Sequence, residues 1–506
     1  MTRPHRELHC RTPVMIGVGL HSQRTPEPLD ADEPIELMRR ATAAAARDAG
    51  VPAVLSEIDR VYVPKGRWRY RDPGRAIATS FGSLDVTSVL ARVGVLQESL
   101  IADACTNIID GSADVCLVVG GEAGFRLLCA TKRGHELHDD QQDTEPDMIW
   151  RADSPIMLAA EIAAGLGEDA VGYYAIIAAA TRAARGLSVH DDIAATAALY
   201  SELSAIAAGN PHAWKRSPIT AEAVNSDSAS NPMLAFPYRS EHVSRWSVDQ
   251  ATALIFTSID KARELQIDPS RWVFPVSSGI SNAMVPLSQR VALAEAPGAQ
   301  EAASAALGHA GVSARSLDLL ELYSCFPVAL QLHANALHLP AGSPAPSITG
   351  GMRYAGGPFN NFVLHATAQL ALALRQTDRK GLISSVSGVL TKQAFSVWSG
   401  APAQDQFRSI DVSEAALSAC PPRELADGYA GVVSILGYTV LAGQRDRPSR
   451  AIAVAEAPDG RRVIVWSVRN PVVQAMTAEE FCGRRVFVAG DGTFDLVENR
   501  AAAEAQ

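Results

Sequence analysis

The sequence predicts an α/β protein with two similar halves and a separate β-rich region towards its C-terminal end. Three observations support this prediction. Strand-like and helix-like segments alternate through the first 120 residues. A helix–glycine–strand unit occurs twice at nearly equal length, in residues 93–121 and 360–388. Beyond about residue 410, apolar and polar residues alternate and turn signals recur, which is typical of β-strands.

The first half begins with the short apolar strand "TPVMIGVG" and an Ala-rich helix that Gly50 ends. The strand "IDRVYV" follows. The next helix carries apolar residues at helical spacing and ends at Gly111, before the buried strand "ADVCLVVGG". Its predicted buried face comprises Val93, Leu96, Leu100, Ile101, Ala104, Cys105 and Ile108.

The second half contains the strand "WVFPVSSGI", the segment "LDLLELYSCF", a glycine-rich turn, a helix from Pro358 to about Arg375 and the strand "GLISSVSG". These segments predict three domains: residues 1–271, with an irregular loop excursion at about 125–245; residues 272–409; and residues 410–506. The last domain is expected to be β-rich and barrel-like, with "PDGR" as a hairpin turn.

Composition excludes several classes of protein. The 506 residues carry a net charge of −10 and show no Lys/Arg-rich cluster, so nucleic acid is not expected as a partner. No apolar run reaches the ~18 residues that span a bilayer, and we expect no membrane span. The N-terminal residues lack the apolar core of a signal peptide, so a cytoplasmic location is expected. Seven cysteines without a C-x-x-C pair favour reduced thiols and no metal site.

Several stretches, in this order, carry a resemblance to a known superfamily: "TPVMIGVG", "YRDPGR", "ADVCLVVGGEA", "NPHAW", "SVDQATALIFTS", "LELYSCFP", "GGMRYAGGPFNNFVLHA" and "GVLTK". The chain resembles the thiolase superfamily. Within it, the chain is similar to the thiolase-like type 1 group, often labelled acetyl-CoA acetyltransferase, which has an additional C-terminal domain. The resemblance implies duplicated αβαβα layered halves and a loop excursion over an acyl-CoA pocket. It implies CoA or acyl-CoA as the ligand and no tightly bound cofactor.

The resemblance also shows what the chain lacks. The family's cysteine nucleophile aligns with Ala91, the histidine of its G-H-P turn with Gly357, and the second cysteine, in a C-x-G turn, with Val386. "YSCF" matches the family's H-D-C-F, with Tyr323 in place of histidine and Ser324 in place of aspartate. Conventional thiolase activity is therefore not expected.

Other polar residues become the candidates for the site. Asn361, His365 and Gln369 share one stripe of the helix after the glycine-rich turn. His365 could face a ligand or be a core histidine, and the free N–H groups at the start of this helix could bind an anionic or carbonyl oxygen. Cys325 could be a pocket thiol or an inert buried one.

Two further groups have alternative interpretations. Tyr323 and Ser324 could donate to a thioester carbonyl or could simply end a strand. Another three residues could contact CoA phosphates or be ordinary solvated charges: Lys215, Arg216 and Lys392.

The leading functional hypothesis is an acyltransferase that binds an acyl-CoA or related thioester without the usual Cys/His/Cys set. The alternative is a non-catalytic acyl-CoA or lipid binding protein, or a pseudo-enzyme subunit that pairs with an active partner in lipid metabolism. The chain could be a monomer or a dimer.

Overall fold

The computed structural model describes residues 9–340, 342–443 and 448–497. The sequence-based domains begin at residue 1 and end at residue 506, and both ends lie outside the described residues. The elements of the first half, in chain order, are β1 (Pro13–Gln23), α1 (Pro34–Ala49), β2 (Arg60–Pro64), α2 (Pro73–Ser80), β3 (Thr87–Ala91), α3 (Gln97–Asp110), β4 (Val115–Ala123) and α4 (Gly124–Arg133).

A long excursion separates α4 from the last strand of the first half. Its elements are β5 (Met148–Trp150), α5 (Ala159–Glu161), α6 (Ala170–Ala184), α7 (Val189–Gly209), α8 (Ala221–Asn225), β6 (Met233–Ala235) and β7 (Tyr238–Arg239). The half then closes with β8 (Asp249–Ser258) and α9 (Ile259–Glu264).

The second half is built from a similar alternation of strands and helices. Its elements are β9 (Phe274–Ser281), α10 (Pro297–Ala310), β10 (Leu319–Glu321), α11 (Pro327–Ala336), α12 (Gly351–Tyr354), α13 (Phe362–Leu374), β11 (Lys380–Ser387), β12 (Lys392–Ser399), β13 (Arg408–Asp411) and α14 (Ser413–Ala419). The C-terminal region has β14 (Gly431–Ala442), β15 (Pro448–Glu456), β16 (Arg462–Ser467), α15 (Asn470–Ala478), β17 (Arg485–Val488) and β18 (Phe494–Leu496).

Each half is built on one mixed sheet. The first sheet has the order β1-β8-β4-β2-β3-β5, with β8 antiparallel to both neighbours and the rest parallel. The second has the order β10-β11-β12-β9-β13. Helices α3 and α13 contact strands of both sheets and so lie between them, while α1 and α10 cover the outer faces. The predicted layered α/β architecture is confirmed.

Glycines on one strand of each sheet let the outer helices approach closely. A Cβ at Gly19 of β1 would lie 1.9 Å from the carbonyl oxygen of Ala41 in α1. A Cβ at Gly279 of β9 would lie 2.0 Å from that of Ala302 in α10. Any side chain would push the helix away, so both outer layers depend on a bare strand backbone.

The start of α3 differs from the prediction. The sequence places Val93 on the buried face of this helix, but Val93 is 48% exposed and precedes the helix. Gly94 takes φ 99°, a left-handed conformation that turns the chain before the first helical residue, Gln97. The other predicted members of that face are buried: Leu96, Leu100, Ile101, Ala104, Cys105 and Ile108.

The C-terminal strands form a third sheet with the order β16-β15-β14-β17-β18, to which β6 and β7 of the excursion are added through β14. Its two edge strands approach each other where the Trp466 N–H donates to the Gly492 carbonyl at 3.0 Å. This contact is an isolated bridge, so the sheet curves without a continuous ladder between its edges. The region is β-rich, as predicted.

None of the helices in the described ranges is both long and apolar enough to cross a membrane. All seven cysteines are free thiols. Within the same ranges, no group of three or more His, Cys, Asp and Glu side chains could hold a metal ion.

Candidate functional site

The two central helices begin side by side. The side-chain oxygen of Gln97, the first residue of α3, accepts the Val363 N–H of α13 at 2.9 Å. The Gln97 Nε2 group donates to Asn360 Oδ1 at 3.2 Å, and Asn360 Nδ2 in turn donates to the Lys65 carbonyl at 3.4 Å. These bonds tie the end of β2 and the starts of α3 and α13 into one corner, which contains Ala91 and Gly357.

At Gly357, neighbouring residues fill the space that a side chain would need. A Cβ there would lie 3.2 Å from the Ser244 Cβ and 3.4 Å from the Met352 Cε. The adjacent Gly356 takes φ 109°, and its Cβ would lie 2.1 Å from Gln250 Oε1. The turn therefore packs its bare backbone against the excursion and β8, in the position where a reactive side chain would otherwise project.

The N–H groups at the start of α13 are partly occupied. The Val363 N–H is bound by Gln97, and the Phe359 N–H donates to the Gly357 carbonyl at 2.6 Å. The Gly357 N–H donates to the Arg245 carbonyl at 2.9 Å. Fewer donors therefore remain for a ligand oxygen at this helix end than the sequence suggests.

The predicted polar stripe lies in the interior. Asn361, His365 and Gln369 are 1%, 2% and 9% exposed. Among the described residues, no protein group hydrogen-bonds to either side-chain polar atom of Asn361, to either ring nitrogen of His365 or to Gln369 Nε2. Such buried polar atoms normally have partners, and ordered water is the usual one when protein offers none.

Strand β8 adds two more such atoms opposite the stripe. Gln250 and Thr252 lie two residues apart, so they share one face of the strand. Gln250 Oε1 and Thr252 Oγ1 are also buried without a partner in the described part of the chain. Thr252 pairs with Gly120 of β4, and a Cβ at Gly120 would lie 2.6 Å from Asn361 Oδ1. We call Gln250, Thr252, Asn361, His365 and Gln369 the polar seam.

His365 is a neutral member of this seam. Burial lowers the pKa of its imidazole to about 3, and His212 adds a smaller effect in the same direction. At neutral pH the ring can donate one hydrogen bond and accept one. A base with so low a pKa removes a proton poorly, so His365 is better suited to hydrogen bonding than to general base catalysis.

The three residues at the end of β10 are held in different ways. The Tyr323 N–H donates to Ser384 Oγ at 2.8 Å, and Ser324 Oγ accepts the Met352 N–H at 2.9 Å. Burial raises the pKa of the Cys325 thiol to about 12, so this thiol stays protonated and is a poor nucleophile.

Rings connect this strand end to α13. The ring of Phe362 contacts those of Tyr323 and His365, with centroid distances of 5.9 Å to Tyr323 and 6.4 Å to His365. The structure thus brings Tyr323 and His365 to the same phenylalanine ring.

A buried hydrogen-bond chain that sequence reasoning missed runs behind these residues. His333 Nδ1 lies 2.7 Å from Ser384 Oγ, and His333 Nε2 lies 2.6 Å from Gln393 Oε1. Because Gln393 Nε2 donates to the Leu390 carbonyl at 2.8 Å, its oxygen accepts from His333 Nε2–H, and the Ser384 hydroxyl donates to Nδ1. The chain ties β11, which contains Val386, to β12 and to the backbone of Tyr323. Its only sequence signal is a histidine in the apolar helix "PVALQLHANA".

The three candidate phosphate-binding residues have distinct environments. Lys215 Nζ lies 3.5 Å from Glu241 Oε1, and Arg353 also pairs with this carboxylate, at 2.7 Å. Arg216 is exposed and donates to the Ala208 carbonyl at 3.4 Å. Lys392 is 4% exposed, and burial lowers the pKa of its ammonium group, so it is not a solvated surface lysine.

A large cleft opens beside the corner where α3 and α13 begin. It has a volume of about 790 Å³ and is lined by Lys65, Gly66, Arg67, Arg92, Val93, Arg151, Ala152, Ser154, Pro155, Ile156 and Phe359. Four of these residues are cationic and none is acidic. We call this cleft, with Lys65, Arg67, Arg92 and Arg151, the cationic cleft.

The architecture matches solved structures. A monomeric SCP2-thiolase-like protein type 1 from Mycobacterium smegmatis superposes with a TM-score of 0.82, covering 97% of this chain and 100% of its own, at 23% identity. The chain has the thiolase fold. Human mitochondrial 3-ketoacyl-CoA thiolase in complex with CoA shares this fold, with a TM-score of 0.54 over 78% of this chain and 99% of its own, at 16% identity.

An Ltp2–ChsH2(DUF35) aldolase also has the thiolase fold, with a TM-score of 0.55 over 76% of this chain and 97% of its own, at 16% identity. The sequence itself matches no known family profile and no curated protein. The expected thiolase-like fold is therefore confirmed at the level of structure.

Proposed function

We propose that the protein binds an acyl-CoA or related thioester within the thiolase fold and does not use the covalent chemistry of a thiolase. The polar seam is the observation that supports binding, because it places unpartnered donors and acceptors beside the turns that surround a thiolase reaction centre. Polar groups at chosen points of an otherwise apolar site are what fix a ligand's orientation.

The residues around the seam argue against a covalent mechanism. Ala91, Gly357 and Val386 offer no nucleophile or base. The Cys325 thiol, with a pKa of about 12, and the His365 imidazole, with a pKa of about 3, are poorly matched to nucleophilic and general base roles at neutral pH. Binding without turnover thus has more support than the acyltransferase that the sequence favours.

Acyl transfer remains a second candidate in a restricted form. A thioester could react directly with a second bound substrate, with no acyl-enzyme. Donors of the seam would then stabilise the oxygen that gains charge. Asn361 Nδ2 and Gln369 Nε2 are the unpartnered donors that favour this possibility.

Partnership is also a proposal. One thiolase-fold neighbour is an aldolase of Ltp2 with ChsH2(DUF35). By analogy, this chain would act as the thioester-binding subunit of a complex in lipid metabolism. Co-purification of a second chain from the native cytoplasm would support this role and the expected location.

The first test compares binding with thiolysis. We expect calorimetry to detect acetyl-CoA binding, and acetoacetyl-CoA cleavage to stay at background, because losing a nucleophile or a base removes factors of about 10² to 10⁴. Cys325→Ser is the matched variant and should change neither result. A cleavage rate that disappears in Cys325→Ser would show that Cys325 is a nucleophile. Absence of any acyl-CoA binding would overturn the proposed function.

A further inference from the structure

The cationic cleft has an unusual charge balance for a protein with a net charge of −10. Lys65, Arg67, Arg92 and Arg151 line it without an acidic neighbour in its wall. A second cleft, of about 680 Å³, shares Arg67 but also contains Glu122, Glu136 and Asp139. The excess of positive charge is thus specific to the cationic cleft.

These four side chains form no ion pair within the described structure. None of them has a carboxylate oxygen within 4.0 Å among the residues that the structure describes. Some buried arginines elsewhere are paired, as Arg353 is with Glu241 and Arg375 with Asp48. Arg92 Nε is buried and has no hydrogen-bond partner in those ranges.

Arg67 is an exposed arginine that lies over two aromatic rings. Its guanidinium lies 4.5 Å from the ring centroid of Trp246 and 5.1 Å from that of Phe359. Stacking of this kind holds the guanidinium plane while leaving its N–H groups free for an anion. Phe359 takes φ 42°, a conformation that is rare for a phenylalanine, and belongs to the turn that leads into the polar seam.

Lys65 is partly withdrawn from water. Burial lowers the pKa of its ammonium group to about 8; Glu122 and Asp139 oppose this shift, and Arg92 adds to it. The lysine donates to the Gly66 carbonyl at 2.8 Å and lies 4.2 Å from the ring centroid of Trp68. An anion in the cleft would stabilise the charged form of this side chain.

We propose that the cationic cleft binds the phosphate groups at the nucleotide end of the thioester ligand. This inference rests on the proposed function. Planar guanidinium groups bind phosphate oxygens through paired hydrogen bonds, and the cleft supplies three of them around one lysine. Phe359 lines the cleft and Asn361 begins the seam two residues later, so a ligand with its phosphates in the cleft has its thioester arm directed towards the seam.

The proposal differs from the sequence-based assignment of Lys215, Arg216 and Lys392. Glu241 already compensates the charge of Lys215, and Lys392 is enclosed. Free phosphate compounds could bind the same cations. The test therefore has to distinguish a CoA ligand from a free phosphate compound.

The test measures three probes by calorimetry: acetyl-CoA, S-acetylpantetheine, which has no phosphate, and adenosine 3′,5′-bisphosphate. We expect the double variant Arg67→Gln, Arg92→Gln to bind acetyl-CoA and the bisphosphate about 100-fold more weakly, since each charged hydrogen-bonding group contributes about tenfold. Its S-acetylpantetheine affinity should not change. Arg151→Gln, in an exposed loop, should weaken the two phosphate probes about 10-fold.

Arg408→Gln is the matched control, because Arg408 is an exposed arginine outside the cleft. It should bind all probes as the wild type does. A different outcome is that the cleft variants lose affinity for the bisphosphate, while the wild type binds acetyl-CoA no more tightly than the bisphosphate. That result would support the phosphate site and overturn the proposed function. The proposed phosphate site would be overturned by a wild-type protein that does not bind the bisphosphate. It would also be overturned by cleft variants whose affinity for the bisphosphate is unchanged. A separate titration with pyrophosphate tests for a free phosphate ligand: pyrophosphate binding as tight as acetyl-CoA binding would overturn the nucleotide assignment.

Discussion

Gly357 illustrates how neighbours can exclude a side chain at a single position. Ser244 and Met352 occupy the volume next to its Cα, and the Gly357 N–H is bound to the Arg245 carbonyl. A histidine at this position would therefore require Ser244 of the excursion and Met352 to move.

Gly357→His should lower the free energy of unfolding by about 1–3 kcal/mol, because overpacking a filled site forces side chains and backbone to shift. Chemical denaturation measures this change. Gly209→His is the control, since a Cβ at this exposed helix end meets nothing within 4 Å. Equal free energies of unfolding for the two variants would show that the excursion can shift to accommodate the new side chain at little cost.

Sequence reasoning at this scale missed the polar residues that connect distant segments. The assignment of positions 91, 357 and 386 to the missing reactive side chains rests on local motifs and stays a prediction. Gln97 bonds to a residue 266 positions away, and His333 to residues 51 and 60 positions away. No local pattern reveals such partners. The roles of His365, Tyr323, Ser324, Cys325 and Asn361 stay predictions.

The edge of the first sheet is a feature of a whole element. Strand β5 of the excursion pairs in parallel with β3, from Val89–Met148 to Ala91–Trp150. Only three residues long, β5 is a short edge strand of the kind that discourages pairing with another chain. The excursion therefore covers an edge that β3 would otherwise present to solvent.

Ile149→Pro should detach β5, because proline cannot donate to the ladder and disturbs its register. The exposed β3 edge should then cause concentration-dependent self-association, measured by light scattering after gel filtration. Asp143→Pro is the control, as Asp143 is exposed and precedes the strand. A variant as monodisperse as this control would show that β5 does not protect the edge.

Elements with a clear period were predictable from the sequence, and their ends were not. The central helix of the first half was expected because its apolar residues recur at helical spacing, yet Gly94 delays its start to Gln97. Strand β5 has three residues and no pattern of its own, so tertiary pairing alone identifies it.

In the molecule as a whole, two kinds of buried titratable group have opposite effects on the pH dependence of stability. Burial lowers the pKa of His242 and of His333 to about 4, and that of His365 to about 3. Burial raises the pKa values of three glutamates to about 7: Glu98, Glu122 and Glu321. Unfolding exposes both sets to water, where histidine titrates near pH 6.5 and glutamate near 4.5.

The pH dependence of stability follows from these directions. Between about pH 6.5 and 4.5, the unfolded chain gains protons on the histidines while the folded chain keeps protons on the glutamates, so the two effects offset each other. Below about pH 4.5 unfolding also protonates the glutamates. As the pH falls further, each buried histidine lowers the free energy of unfolding by about 1.4 kcal/mol per pH unit, until the pH reaches the pKa of that histidine in the folded state.

We therefore expect similar free energies of unfolding at pH 6.5 and 5, and a steep loss at pH 4, measured by urea denaturation. Replacing Glu98, Glu122 and Glu321 by glutamine should remove the compensation and move the loss up into the range between pH 6.5 and 4.5. A steady decline in the wild type from pH 6.5 downwards would contradict the proposed balance.

The three-domain division stays a prediction at this scale, although particular contacts show how the third sheet joins the rest. Arg182 of α6 pairs with Glu480 at 2.8 Å and donates to the Tyr438 hydroxyl at 2.9 Å. The Phe236 N–H donates to the Val440 carbonyl at 2.9 Å. Alternating apolar residues predicted the strands, but only the folded chain shows that the excursion contributes β6 and β7 to their sheet.

The polar seam has a consequence for solvent displacement. Under the proposed function, a ligand that entered the seam would gain affinity only if it supplied hydrogen bonds to these atoms in place of water. A bare hydrocarbon would leave Asn361 and His365 without partners. A chain that carries amide or thioester groups at intervals would not, so the cost of desolvating the seam would favour a pantetheine-like arm over a plain alkyl chain.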